Sequence, residues 1–254
     1  MLAVITGASR GIGESYAKQL AGRGYDLLLV ARDAERLERV ARSVRAAHPV
    51  AAETLALDLA WSDAAERLYS EVRLRGTAVD VLVNNAGFGL YGDFQALPMP
   101  RIEEMVRLHI MTLVKTVRLF LPDMLARRSG AMINVASTAG LRPLPYLALY
   151  AATKAFMISF GEAVAMEARP YGVLIQTCCP GQTATEFHQT AGVKPHRSPG
   201  GCQTADAVVA ESLAALAGQG RFVVTGWRNR IVAQVQRFLP RQVVLSAAAR
   251  FLKP

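Results

Sequence analysis

The apolar run Leu2-Ala3-Val4-Ile5-Thr6 leads without a spacer into Gly7-Ala8-Ser9-Arg10-Gly11-Ile12-Gly13. The helical pattern Glu14-Ser15-Tyr16-Ala17-Lys18-Gln19-Leu20 follows at once. A short β-branched, apolar run suits a strand buried on both faces of a parallel sheet. Glycines between that strand and a helix start let bare backbone N–H groups approach a ligand at the positive end of the helix dipole, where a pyrophosphate binds well. The spacing is Gly-x-x-x-Gly-x-Gly rather than the commoner Gly-x-Gly-x-x-Gly. A chain that opens this way is expected to build an open α/β sheet with its ligand at the strand ends.

The rest of the sequence repeats the alternation. Strand-like runs fall at 2–6, 26–31, 53–57, 79–84, 130–136, 172–178 and 221–225, with helical patterns near 12–23, 34–46, 62–74, 101–127, 148–168 and 204–217. No long linker, internal repeat or low-complexity tract interrupts them, which predicts a single-domain, doubly wound α/β fold with a parallel sheet of about seven strands. The stretch 181–203 stands apart. It holds Gly192, Pro195, Pro199, Gly200 and Gly201 and leaves the edge of the sheet where ligands bind, so it is a candidate substrate lid.

The second chemical signal is Tyr150-Ala151-Ala152-Thr153-Lys154 with Ser137 upstream, at the end of Ala131-Met132-Ile133-Asn134-Val135-Ala136. On a helix, positions i and i+4 share a face, so a phenol and an ammonium reach one substrate together. A free tyrosine has a pKa of about 10, and a neighbouring ammonium is expected to draw it toward working pH. A serine at a strand's C-terminal edge can hold the oxygen of a ketone or alcohol. Alone, Tyr-x-x-x-Lys is an ordinary helical surface pair. Together with a dinucleotide turn it becomes a set of groups for hydride transfer.

In order and spacing, Thr6-Gly7-Ala8-Ser9-Arg10-Gly11-Ile12-Gly13, Asn84-Asn85-Ala86-Gly87, Ser137, Tyr150-x-x-x-Lys154 and Pro180-Gly181 resemble the short-chain dehydrogenase/reductase family, over roughly residues 1–225. The resemblance implies a Rossmann-type domain over 1–225, including the lid near 181–203, with 226–254 as a basic amphipathic extension. It implies that Ser137, Tyr150 and Lys154 are catalytic. The cofactor would lie on Gly7, Ser9, Arg10, Gly11, Ile12 and Gly13, on Asp58 and Leu59 near the adenine, and on Asn85, Ala86 and Gly87 along its ribose, with Asn84 bracing the sheet. Lys154 would also bond the nicotinamide ribose, with Tyr150 beside it, and Pro180, Gly181, Thr183 and Thr185 would meet the carboxamide. Many members carry a further asparagine thirteen residues before a proline that closes the following helix. Counting back from Pro122 gives His109 instead. A histidine can join a proton relay, since it titrates near neutrality, or can be a buried residue with a structural hydrogen bond.

Cofactor choice turns on the residues after the second strand. Asp33 lies where an acid would accept from the ribose 2′-hydroxyl of NAD, but it also precedes Ala34-Glu35-Arg36-Leu37-Glu38 as a helix N-cap. Arg32 directly before it, and Arg10 in the glycine turn, suit a 2′-phosphate. In the family, arginines at these places accompany NADP(H), which is the cofactor expected here over NAD(H).

Composition limits the alternatives. The net charge is +9, but 24 of the 29 cationic residues are arginines spread along the chain, and no basic stretch is interleaved with aromatics. Nucleic acid is therefore not an expected partner. Cys178, Cys179 and Cys202 are too few and too scattered for a disulfide frame or a metal site. No run of about 18 uncharged apolar residues occurs, and the glycine turn at residue 7 leaves no room for a leader, so a cytoplasmic location is expected. The segment 226–254 has six cations and no acid, and without it the net charge would fall from +9 to +3 (9 − 6). Ile231, Val232, Val235, Phe238 and Leu239 recur there at helical spacing, Pro240 breaks the pattern, and Val243, Val244, Leu245, Phe251 and Leu252 follow. Such a tail can pack on the domain or a partner subunit, or lie peripherally on an anionic membrane.

The expected activity is NADP(H)-dependent interconversion of a small carbonyl compound and a secondary alcohol. Reduction of a 3-oxoacyl thioester is the alternative within enzymes, and an NADP(H)-binding sensor or scaffold with little turnover is the alternative outside them. Phe187, His188, Val193 and His196 give the lid a mixed character that names no substrate. The resemblance further suggests a homodimer or homotetramer through the helix that carries Tyr150, where Ala148, Ala151, Ala152, Ala163 and Ala165 permit close helix contact.

Overall fold

A computed structural model describes residues 1–187, 201–236 and 238–253. Seven parallel strands form the main sheet: β1 (Leu2–Thr6), β2 (Asp26–Ala31), β3 (Ala52–Ala56), β4 (Val79–Asn84), β5 (Ala131–Val135), β6 (Leu174–Cys179) and β9 (Phe222–Val224). Their order is β3-β2-β1-β4-β5-β6-β9. The order reverses between β1 and β4, and at such a switch point the chain leaves neighbouring strand ends in opposite directions and opens a crevice. A two-stranded parallel pair, β7 (Gln182–Ala184) with β8 (Cys202–Thr204), frames part of the stretch expected to be irregular. The remainder of that stretch, 188–200, including His188, Val193 and His196, lies outside the described residues, as does Arg237.

Period-two alternation along the strands divides the core. Leu2, Val4, Leu28 and Val30 face one helical layer, α3 (Ala64–Leu74), α5 (Thr112–Arg127) and α6 (Ala148–Ala168). Ala3, Ile5, Leu27 and Leu29 face the other, α1 (Gly11–Ala21), α2 (Ala34–Ala47) and α7 (Ala205–Ala217). A buried polar chain ties the second layer to the sheet. Tyr16 Oη donates to Ser212 Oγ at 2.6 Å, and Ser212 Oγ donates to Gln176 Oε1 at 2.6 Å.

The helix expected over 101–127 is helical throughout but changes its winding. It comprises α4 (Met99–Val106), a π-helical turn at Arg107–Met111, and α5. The turn's wider winding brings His109 to the buried side. Pro122 does not close α5, which runs on to Arg127. Proline removes one helical hydrogen bond, and both Pro122 and Arg118, whose carbonyl would have accepted it, face solvent.

The C-terminal segment forms α8 (Trp227–Val235) and α9 (Arg241–Leu252), with Pro240 at the N-cap of α9. Its inner face is docked. Leu252 packs with Leu144 and Ala151, Tyr91 Oη donates to the Leu252 carbonyl at 2.8 Å, and Arg142 donates to Gln236. These contacts cover the loop that joins Ser137 to Tyr150.

Candidate active site

A cleft of about 440 Å³ opens at the C-terminal ends of the strands, a volume in the range of small-molecule sites. Gly7 and Gly11 adopt left-handed φ values of +65° and +59°. Gly13 serves a different purpose: a Cβ there would lie 2.1 Å from the Gly7 carbonyl oxygen, so only glycine lets the helix start against the strand end. Asp33 caps α2 and Thr204 caps α7 with side-chain oxygens, but the Arg10 side chain makes no such bond at the start of α1. The first N–H groups of α1 therefore lack a side-chain cap beside the cleft, as an anion site requires. Thr6 Oγ1 donates to the Val83 carbonyl and accepts from the N–H groups of Asn85 and Ala86, which fixes the opposite wall. Asn84 braces the sheet as expected, donating to Asn134 Oδ1 at 2.9 Å and accepting from Thr116.

Nearly all the residues singled out in the sequence line this cleft. Gly7, Ser9, Arg10, Gly11, Ile12 and Arg32 lie at one end, Asp58, Leu59, Asn85, Ala86 and Gly87 along its floor and wall, and Ser137, Tyr150, Lys154, Pro180, Gly181, Thr183 and Thr185 complete it. Gly13 and His109 are not among its lining residues. Asp58 Oδ1 accepts from Ala60 N–H at 2.9 Å, which holds the turn after β3. The open helix start, the glycine contact at Gly13 and the cations at one end fit a dinucleotide that carries negative charge.

Asp33 Oδ1 accepts from Arg36 N–H at 3.0 Å, so its carboxylate is engaged as the helix cap. Arg36 joins Arg10 and Arg32 in the cleft and was not singled out in the sequence. A signal was present: a cation in the first turn of a helix opposes the dipole and calls for an anion nearby. Glu186, Phe88 and Glu104 were also missed, while Phe187, expected in the lid, lines the cleft. Glu104 receives Arg32 at 3.4 Å and also Arg101. Phe187 places its ring 5.5 Å from that of Tyr150.

At the other end, Ser137 stands two residues past β5, and its Oγ accepts from Ala139 N–H at 3.1 Å and donates to the Pro180 carbonyl across a long 3.4 Å. Lys154 is buried. Its Nζ donates to the Val135 carbonyl at 2.8 Å and contacts Met157 Sδ at 3.4 Å. Burial pulls its pKa down to about 8. Tyr150 is pushed up to about 12 by burial, with the Ser137 hydroxyl opposing the rise. This corrects the expectation that the lysine lowers the phenol. Lys154 Nζ lies 5.8 Å from the Tyr150 ring centroid and spends its hydrogen bonds on Val135 and Met157, so desolvation dominates. Near neutrality the arrangement holds a protonated phenol beside a protonated lysine.

His109 is buried behind this end. Phe88 N–H donates to its Nε2 at 3.1 Å, so Nδ1 carries the proton and donates to Thr153 Oγ1 at 2.9 Å. Thr153 in turn donates to the Tyr150 carbonyl at 2.8 Å. Burial, reinforced by the Lys154 charge, holds the imidazole well below its usual pKa. The expectation that it titrates near neutrality is therefore overturned, and its contacts are those of a neutral structural group. Cys178 and Cys179 are buried free thiols, with Cys178 pushed up to about 12 by burial.

Comparison with known proteins agrees with this geometry. The family model for short chain dehydrogenases matches residues 1–195. The chain is 36% identical over 190 residues to the very-long-chain 3-oxoacyl-CoA reductase-A of Danio rerio, covering 73% of this chain and 59% of that protein. It thus spans less than two thirds of that relative's length. Among solved structures, a short-chain dehydrogenase from Sphingobium yanoikuyae in complex with NADPH has a TM-score of 0.83 and 31% identity, covering 96% of this chain and 95% of that one. A metagenomic short-chain oxidoreductase in complex with NADP has a TM-score of 0.73 and 30% identity, covering 89% and 96%. The chain belongs to the short-chain dehydrogenase/reductase family, whose members are oxidoreductases that use a nicotinamide cofactor to interconvert small carbonyl compounds and alcohols.

Proposed function

We propose that the chain is an NADP(H)-dependent reductase of a ketone or 3-oxoacyl group, running in reverse as a secondary-alcohol dehydrogenase. The observation that carries this reading is the polarity of the cleft: Arg32 and Arg36 follow β2 on one side of the switch point, with Arg10 joined to Arg36 through Glu186, and Ser137, Tyr150 and Lys154 follow β5 on the other. Three arginines suit the doubly charged 2′-phosphate that distinguishes NADP(H). Asp33, the acid that would favour NAD(H), already accepts a cap bond from Arg36 N–H, which supports the same reading. The two similar NADP(H)-bound structures support the same choice.

A reduced nicotinamide held in this cleft would supply the hydride. Ser137 holds the substrate oxygen, exchanging its long bond to Pro180 for a shorter one as negative charge develops there. Tyr150 is a neutral phenol near pH 7 and gives that oxygen its proton. Lys154, fixed by the Val135 carbonyl, keeps a positive charge close to the phenol as it ionises. His109 orients α6 through Thr153 and anchors the 85–88 turn through Phe88, a positioning role.

For the substrate, 3-oxoacyl thioesters are favoured by the similarity to a very-long-chain 3-oxoacyl-CoA reductase and by the basic charge of this chain. Oxidation of NADPH and NADH by the purified protein, against ketones, quinones, steroids and 3-oxoacyl thioesters, tests the proposal. Turnover with NADPH on a carbonyl and its loss in Tyr150→Phe are expected. Tight NADPH binding without turnover on the whole panel would favour the sensor or scaffold reading.

We further propose two surfaces. The exposed ridge of α6, with Ala152, Ala155, Ala163 and Met166, suits a second copy of the chain in a homodimer or homotetramer. The outer face of α8 and the 238–239 turn suits the anionic surface of a membrane. No helix among the described residues is long and apolar enough to cross one.

A further inference from the structure

Glu186 follows β7, far in sequence from the glycine turn, yet its carboxylate sits between two of the cleft's cations. Oε2 accepts from Arg10 at 2.7 Å and from Arg36 at 2.8 Å. Thr185 beside it packs on Gly11, so closely that a Cβ added at Gly11 would lie 3.0 Å from Thr185 Cγ2. Residue 187 continues to the reacting end, with its ring 5.5 Å from Tyr150. Three consecutive residues thus touch the glycine turn, the cationic end and the proton donor.

We propose that Glu186 is an internal stand-in for the cofactor's 2′-phosphate: it bridges Arg10 and Arg36 in the cofactor-free chain and is displaced only by a nucleotide carrying that phosphate. The inference rests on the NADP(H) reading above and adds to it an internal competitor for the phosphate's two arginines. A carboxylate held by two guanidinium groups has the charge and donor pattern that a phosphate monoester dianion exploits better, with more charge and three acceptor oxygens. A nucleotide with a 2′-hydroxyl has no charge with which to compete. It would have to bind beside the intact bridge and gain nothing from either arginine. Both Arg36, held above its usual range, and Glu186, held below its own, respond chiefly to this hydrogen bond. The bridge is partly exposed, at 41% for Arg10, 39% for Arg36 and 50% for Glu186, so it is weak enough to open.

Calorimetric titration of the full chain with 2′,5′-ADP and with 5′-ADP tests this without turnover. Wild type is expected to prefer 2′,5′-ADP. Glu186→Gln should tighten 2′,5′-ADP by about three- to tenfold, the scale of two exposed ion pairs, and leave 5′-ADP within about twofold. Arg36→Ala should weaken 2′,5′-ADP, and adding Glu186→Gln to it should gain less than Glu186→Gln gains alone. If wild type prefers 2′,5′-ADP but Glu186→Gln leaves it unchanged, or tightens both nucleotides equally, the Glu186 inference fails and the cofactor reading stands. If both proteins bind the two nucleotides equally, the NADP(H) reading fails and takes the inference with it. A preference that emerges only in Glu186→Gln supports the stand-in directly.

Discussion

Phe88 N–H donates to His109 Nε2 across 3.1 Å, and that one bond assigns the proton of a buried imidazole to the side facing Thr153. It also explains a glycine: a Cβ on Gly87 would lie 2.8 Å from the same nitrogen. His109→Ala should leave the Phe88 N–H and Thr153 without their partner and open a void, destabilising the fold by about 2–4 kcal/mol in denaturant titration. The folded imidazole binds its proton more weakly than the unfolded one, so wild-type stability should fall as pH drops below about 6.5. His109→Gln should flatten that slope. A reductase profile with an ionisation near pH 6.5 that vanishes in His109→Gln would instead restore the histidine to the proton path.

Lys154 carries the opposite lesson about charge. Its ammonium is buried and its pKa drawn down from 10.5 to about 8. Between these values the unfolded chain holds the proton that the folded chain releases, so stability should rise with pH across that window. Below about pH 8 the full penalty applies, equivalent to about 3 kcal/mol. Lys154→Met should therefore melt higher than wild type at pH 7 and lose that advantage toward pH 10, while abolishing reduction. A variant less stable at pH 7 would mean that the bond to the Val135 carbonyl outweighs desolvation.

Much of this is legible in the amino-acid sequence alone. β1, β2 and β4 begin and end where the apolar runs do, because strands buried on both faces admit little else. The cleft's residues were readable because the spacing of glycines and of Tyr150 and Lys154 reflects local geometry. What was missed is non-local or irregular. Glu186 meets Arg36 across 150 residues of sequence, and no local pattern announces such a contact. The π turn at Arg107–Met111 hides inside a pattern that reads as continuous helix. The pKa of Tyr150 depends on where Lys154 spends its hydrogen bonds, a matter of packing rather than of spacing.

Gly161 marks where α6 approaches β5 and β6. A Cβ there would lie 2.3 Å from Thr177 Oγ1 and 3.4 Å from Asn134 Nδ2. Both of these atoms are buried and lack a hydrogen-bond partner among the described residues. Gly161→Ala should push α6, and Tyr150 with it, away from the sheet and cost about 1–3 kcal/mol. Thr177→Ala makes the missing room, so the double variant should recover most of that loss. Equal losses in the single and double variants would place the strain elsewhere.

The outer face of the C-terminal segment is testable separately from its docked inner face. Trp227, Ile231 and Val235 form an i, i+4, i+8 ridge along α8, exposed by 62%, 52% and 52%, and Phe238 beyond it is 85% exposed. Arg228 and Arg230 flank the ridge, and the segment contains no acid. A second copy meeting this face with the same face would set arginine against arginine. An anionic lipid surface would offer charge to the arginines and an apolar layer to the ridge, at about 1 kcal/mol for each cation near the surface. The protein should therefore sediment with vesicles of mixed phosphatidylserine and phosphatidylcholine, be released as salt shortens the Debye length, and stay in the supernatant with phosphatidylcholine alone. Ile231→Glu places a carboxylate on the exposed ridge, where it should remove vesicle binding and leave melting and NADPH oxidation unchanged. Equal partitioning to both vesicle types, or binding that survives Ile231→Glu, would rule out this face as the membrane contact.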